Sequence, residues 1–331
     1  SNCYNVGKIA STDYSGSICG INDGKIFNSY YLHGTCAQGV GRQDYGSSTV
    51  VEKTTDQFES GEVAWLLNGS AAGESPAWRQ TLGEDQYPVF DTESGIVYYG
   101  YVCDKLTYSN DQLSETPEAH PGSYDSNGFC TKCGNGYQPA EKDTVDYYEI
   151  GNAGQLYWFA EQVYGGNGSS INAKLTNSIV VNKHVLDSIG DLKSNTEGFR
   201  SWTPIGTDIN HQYNGTFDGQ GYTVGGLYNV EKAYDNLGLF GFIYSGVVKN
   251  VGIVDSYFLC GEDDRLGGIC GWNAFATIEN CFNAATLASD HKKSAVGGIL
   301  GDGEQGGYSP STISNCYNVG KIASTDYSGS I

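Results

Sequence analysis

The 331-residue chain contains no methionine, only seven prolines, and 18 lysines and arginines against 38 aspartates and glutamates. With no methionine at its start and no apolar leader, it reads as a fragment from the middle of a longer, processed chain. The net charge of −20 excludes the basic face that nucleic-acid phosphates demand, and it favours solubility at high local concentration. No apolar run approaches the roughly 20 residues that span a bilayer, so no transmembrane segment is expected in this window. Ten cysteines fall below the density of a small disulfide scaffold, which makes most of them small buried apolar residues.

What the chain has in abundance is repetition. Residues 1–18 and 314–331 both read SNCYNVGKIASTDYSGSI, without one substitution. Eighteen identical positions, offset by 313 residues, mark a window slightly longer than one period of a tandem array. The repeat junction is carried by Ser1, Asn2 and Cys3 at one end and by Ser314, Asn315, Cys316 and Ile331 at the other. Neighbouring copies, joined head to tail, are the first expected partners, because long identical repeats add length and valency rather than new chemistry. Cys316 is the next copy of Cys3, so a period holds nine cysteines, an odd number that cannot all pair within it.

A shorter period runs inside the long one. Gly238-Leu239-Phe240-Gly241, Gly268-Ile269-Cys270-Gly271 and Gly298-Ile299-Leu300-Gly301 recur every 30 residues, and Gly16 to Gly20 is a partial fourth. Each is followed by an apolar stretch centred on asparagine: Asn250, Asn280, Asn315 and Asn28. Units this short and glycine-rich, with alternating or clustered apolar residues, have strand chemistry and cannot bury an apolar face alone. The fold expected is all-β, a parallel β-helix. Val251, Cys281, Cys316 (or Cys3) and Ser29 form one inward column, and the four asparagines form a hydrogen-bonded ladder at the bends.

Such a stack exposes two edges that need caps. Asn152-Ala153-Gly154-Gln155 reads as a capping box before a helix over about 152–164, with Leu156, Phe159, Ala160 and Val163 on one face. Ser60 is placed as the N-cap of a second helix over about 60–68, bearing Val63, Leu66 and Leu67. The window then divides into the end of one module (1–100), a cysteine-bearing linker (101–143) and the start of the next module (144–331).

Gly238-Leu239-Phe240-Gly241 and its relatives resemble the GLUG motif (Gly-Leu-uncharged-Gly) of large repetitive surface proteins from gut Firmicutes. Residues 213–224 (YNGTFDGQGYTV), 156–160 (LYWFA), 62–67 (EVAWLL) and the linker phrase 127–134 (NGFCTKCG) match the same pattern, so the resemblance covers nearly the whole chain. It implies an exported, extracellular protein on the bacterial cell surface, adhesin-like or stalk-like; an enzyme is not expected, being an odd thing to repeat almost identically along one chain.

Chemistry could reside in few places. Cys130-x-x-Cys133-Gly134 has the knuckle spacing of a tetrahedral metal site, with His120 and Cys103 upstream. The four could hold a structural zinc, or Cys130 and Cys133 could form a local disulfide. Asp125-Ser126-Asn127-Gly128 lacks the bidentate glutamate of a calcium loop and reads as a turn. Glu262-Asp263-Asp264-Arg265 is the densest carboxylate cluster for a β-helix polysaccharide lyase or hydrolase, and it reads as a loop between coils. Tyr30, Tyr31, Tyr98, Tyr99 and Trp272 are the candidate surface for a host or bacterial glycan.

Overall fold

In a computed structural model, residues 1–331 are described except 12, 72, 74, 166–168, 305–310, 325–327 and 330–331. With 39% of residues in strands and 7% in helix, the chain is all-β. It forms two compact units, residues 1–121 and 122–331.

The asparagine and glycine positions explain the strand geometry of residues 122–331. Asn250, Asn280 and Asn315 all sit at left-handed φ, between 52° and 57°, a region that asparagine tolerates better than other side-chain-bearing residues. Each turns the chain between two strands. The recurring glycines allow close approach of the backbone: a Cβ on Gly267 would lie 2.1 Å from the carbonyl oxygen of Cys270, and one on Gly297 1.8 Å from that of Leu300. Between them Leu239, Ile269 and Ile299 point inward and are fully buried.

The strands so defined pair in parallel with strands about one short period later. Thr216–Asp218, Val247–Lys249, Thr277–Glu279 and Thr312–Ser314 are successive neighbours in one seven-stranded sheet, which brings Phe217, Val248, Ile278 and Ile313 into one column. A second seven-stranded sheet follows the order Ile179–Val180, Thr223–Gly225, Gly252–Cys260, Phe282–Ser289, Tyr317–Asn318 along its main path, with two short strands alongside. A third aligns Phe240–Tyr244, Cys270–Ala274 and Leu300–Glu304. Phe217, Val248 and Ile278 are fully buried. Each such side chain contributes about 1.5–3 kcal/mol on burial, so the columns supply the main cohesion.

One end of this unit carries a helix at Ala153–Tyr164. Asn152 caps it by accepting from the Gln155 amide at 2.9 Å, while Gln155 accepts from Gly151 rather than from the cap residue's own amide. Leu156, Phe159 and Val163 are fully buried, and Phe159 packs on Tyr213 and Phe217.

Within residues 1–121, Cys3–Asn5, Lys25–Leu32 and Ser47–Lys53 form a three-stranded parallel sheet, and Cys19–Asn22 pairs with Val40–Gln43. Two short helices follow, Thr55–Glu59 and Glu62–Leu67. Ser60 does not cap the second; it ends the first, whose capping box is Thr54 with Gln57. The second starts at Gly61, where φ is 89°. Phe58, Val63 and Leu67 nonetheless bury against Tyr30 and Trp78. The 101–143 stretch, expected as a linker, is folded: Tyr98–Val102 and Lys105–Ser109 form an antiparallel hairpin, and Phe129, Cys130 and Ala140 are buried.

Candidate functional site

Cys103 occupies the two-residue loop of that hairpin at a left-handed φ of 57°. Its carbonyl accepts from the Glu118 amide at 2.8 Å, which draws the approach to His120 alongside. Cys130 and Cys133 lie on a turn closed by the Gly134 amide donating to the Cys130 carbonyl at 2.8 Å. The preceding turn is held by Asp125, whose Oδ1 accepts from the amides of Asn127 and Phe129, each at 2.9 Å. That side chain serves the backbone, as a turn aspartate does.

Cys103 and His120 belong to residues 1–121, and Cys130 and Cys133 to residues 122–331. Cys103 and Cys130 are buried, His120 and Cys133 half-buried. Three sulfur donors and one imidazole nitrogen are the donor set of a tetrahedral structural zinc site. Two outer contacts suit the same role. The Asn135 amide donates to Cys133 Sγ at 3.4 Å, and Asp104 Oδ1 lies 3.4 Å from His120 Nε2. A carboxylate on one ring nitrogen orients an imidazole to ligate through the other. The quartet could hold a metal.

The repeat junction can be compared copy by copy, because the first seven residues of both copies take the same local conformation. Asn2 and Asn315 have φ of 56° and 52°. Cys3 and Cys316 each donate a thiol bond two residues back, at 3.2 Å. Asn5 and Asn318 each close the same loop on a glycine two residues on, Gly7 and Gly320. Cys3 pairs with Ser29, Tyr4 with Tyr30 and Asn5 with Tyr31 in the first unit. In the second, Tyr317 pairs with Phe282 and Asn318 with Asn283. Ser1 is exposed and Ser314 half-buried; Ile331 lies outside the described residues. The Cys281 thiol, beside Cys316 and buried, is held well above the usual thiol range.

The aromatic residues expected on a ligand surface divide. Tyr30 and Tyr31 are each 7% exposed, so they line the core and offer no ring face outward. Tyr99 is exposed and packs on Tyr108 at 4.7 Å, with Tyr98 half-buried beside it. Trp272 is half-buried, stacked on Phe242 at 4.2 Å beneath Arg265. Sequence reading missed a cleft of about 270 Å³ lined by Tyr137, Tyr157, Glu161, Tyr164, Thr203 and Tyr234. Its members come from distant segments, and no local pattern announces them.

The carboxylate cluster does not converge. Asp264 is buried and accepts from the Gly261 amide, while Glu262 and Asp263 face Lys293 and Arg265 pairs with Asp302 at 3.0 Å. Asp255 accepts from the Leu186 amide at 2.9 Å. Among the described residues no helix is long and apolar enough to cross a membrane.

No family model matches the chain. Among curated proteins it is similar to Halomucin from Haloquadratum walsbyi, at 28% identity over 159 residues, 42% of this chain and 2% of that protein. The chain thus spans a small fraction of Halomucin. Among solved structures it is similar to a candidate immunoglobulin A1 protease from Bacteroides ovatus, with a TM-score of 0.29 and 15% identity over 57% of this chain and 80% of that one.

Proposed function

We propose that the chain is a non-enzymatic tandem-repeat unit of an extracellular bacterial surface stalk, adhesin or filament, built from parallel β-helix modules that short helices cap. The observation that carries this reading is the repeated 18-residue sequence, whose first seven residues take the same local conformation in two places and pair in parallel with a neighbouring strand in each. A unit whose edge strand repeats its own beginning is suited to extension. The in-register columns put backbone hydrogen bonds along the stacking direction, so each added rung extends the object by about 4.8 Å. The similarity to Halomucin, over a small part of that protein, accords with a segment of something longer. Electron microscopy of native material tests it: long thin fibres with a regular longitudinal repeat are expected, and discrete compact particles would refute it.

We further propose that Cys103, His120, Cys130 and Cys133 hold a structural zinc. Zinc would supply a four-coordinate cross-link in a segment with few large apolar side chains. Cys103 and Cys130 exclude water on the buried side, and Asp104 fixes the ring of His120. Metal analysis of protein purified without chelator should give one zinc per chain. Metal-free protein with a mass two hydrogens light in the 130–133 peptide would favour the Cys130–Cys133 disulfide instead.

A second reading, binding of a host or bacterial glycan, draws on the tyrosine cleft, where Tyr137 and Tyr157 stack at 5.1 Å and Tyr164 and Tyr234 also line the opening. Saturable binding on a glycan array, abolished in Tyr137→Ala, would support it.

A further inference from the structure

The two copies of the repeated sequence are buried in complementary ways. In residues 122–331, Cys316 packs against the core beneath Cys281, while Tyr317 is 53% and Val319 70% exposed. In residues 1–121 the same amino acids reverse the pattern. Cys3 is exposed, whereas Tyr4 and Val6 pack on the cluster of Phe58, Val63 and Trp78. Tyr4 stands 5.6 Å from Phe58 and 5.3 Å from Trp78, and its hydroxyl donates to the Pro88 carbonyl at 2.7 Å. Tyr317 instead stacks on Phe282, 5.3 Å away and 6° from parallel. One copy shows the sequence covered from one side, and the other shows it covered from the opposite side.

Resting on the tandem-repeat reading, we infer that residues 314–320 and 1–7 are two views of one shared rung, and that the residues up to 121 of a following copy complete the stack begun by residues 122–331. The registers merge without a slip. Phe282 pairs with Tyr317, and its equivalent Tyr4 pairs with Tyr30; Asn283 pairs with Asn318, and its equivalent Asn5 with Tyr31. The asparagine ladder merges as well. Asn250 donates to Asp218 at 2.9 Å, Asn280 to Asn250 at 3.1 Å and Asn315 to Asn280 at 3.2 Å. In the other view Asn28 donates to Asn2 and to the Leu66 carbonyl, each at 2.8 Å. Joined at the shared asparagine, the ladder runs unbroken from a carboxylate to the last turn of the Glu62–Leu67 helix. Both of its ends are then satisfied, which neither half achieves alone.

The occupant of the open edge is therefore a second copy of this chain, through its residues 19–121. The inference predicts that position 319 becomes shielded when such a segment follows it. Val319→Cys is made in the 331-residue chain and in a two-period chain, residues 1–331 followed directly by 19–331. Maleimide labelling, read by mass spectrometry on the uniquely altered peptide, should be roughly tenfold slower in the two-period chain, as for a site that reacts only through local opening. Val6→Cys should label slowly in both. Equal labelling of position 319 in the two chains would overturn the shared rung. If the cysteine variant does not fold, Val319→Ala marks the same peptide by mass, and its hydrogen exchange should slow in the two-period chain; unchanged exchange would again overturn it. Shielding in material that forms no native fibre would uphold the shared rung while removing the surface-filament reading.

Discussion

The side-chain amide of Asn280 donates to Asn250 Oδ1 at 3.1 Å, one rung away, and both residues hold left-handed backbone angles. The residue type answers two needs at once, a turn and a rung-to-rung bond. Asn280→Ala loses both: about 1–2 kcal/mol for a left-handed alanine and about 0.5–1.5 kcal/mol for each hydrogen bond. Asn280→Gly removes only the bonds. Urea unfolding should therefore rank wild type above Gly above Ala, with alanine costing about 2–5 kcal/mol in all. Equal loss in the two variants would contradict this account.

Asp143 accepts from Lys174 at 2.8 Å and from the amides of Val145 and Tyr147, each at 2.9 Å. The lysine first, then the backbone donors, hold its carboxyl at about 2, below the ordinary 3.8. A depressed folded value stabilises above the ordinary carboxylate range, and that contribution is lost as pH falls from about 4 towards about 2. Lys174→Met should raise the Asp143 carboxyl titration seen by NMR and flatten stability against pH in that window.

Asp264 behaves in the opposite sense. Burial first, with the nearby Asp235 and Asp263, pushes its carboxyl up, although the Gly261 amide and His291 pull it down. A raised folded value means that the ionised form is disfavoured, so the cost appears as pH rises past the carboxylate range. Asp264→Asn keeps an acceptor for Gly261 and should raise the melting temperature at pH 7, with the gain shrinking towards pH 4. A loss of stability at pH 7 would show that the charge is favoured there.

For the cysteine–histidine quartet, Asp104 is the informative position, since it touches His120 and is not a ligand. Asp104→Ala should weaken zinc affinity about 10–100-fold in chelator competition, while the one-to-one stoichiometry persists. Unchanged affinity would mean that the carboxylate does not orient the ring.

The strand stacking was legible because the motif period equals one rung: Phe240, Cys270 and Leu300 recur every 30 residues and pair in register. The bonds that join Asn250, Asn280 and Asn315 followed from the same spacing, whereas Asn28 bonds to Asn2 instead. Side-chain direction was less legible. Tyr30 and Tyr31 are both buried, against strict alternation, and Tyr30 belongs to the cluster of Phe58, Val63 and Trp78. The capping box at Thr54 and Gln57 was overlooked beside Ser60, whose residue type suits a cap equally well. The tyrosine cleft depends on residues as far apart as 137 and 234 and has no local signature.

The central claim, that strands stack across the long axis of an extended repeat, is tested most directly by X-ray diffraction from oriented native material. The account predicts a meridional reflection near 4.8 Å, the spacing of strands hydrogen-bonded along the fibre. Material that will not orient, or a reflection at that spacing on the equator, would contradict it.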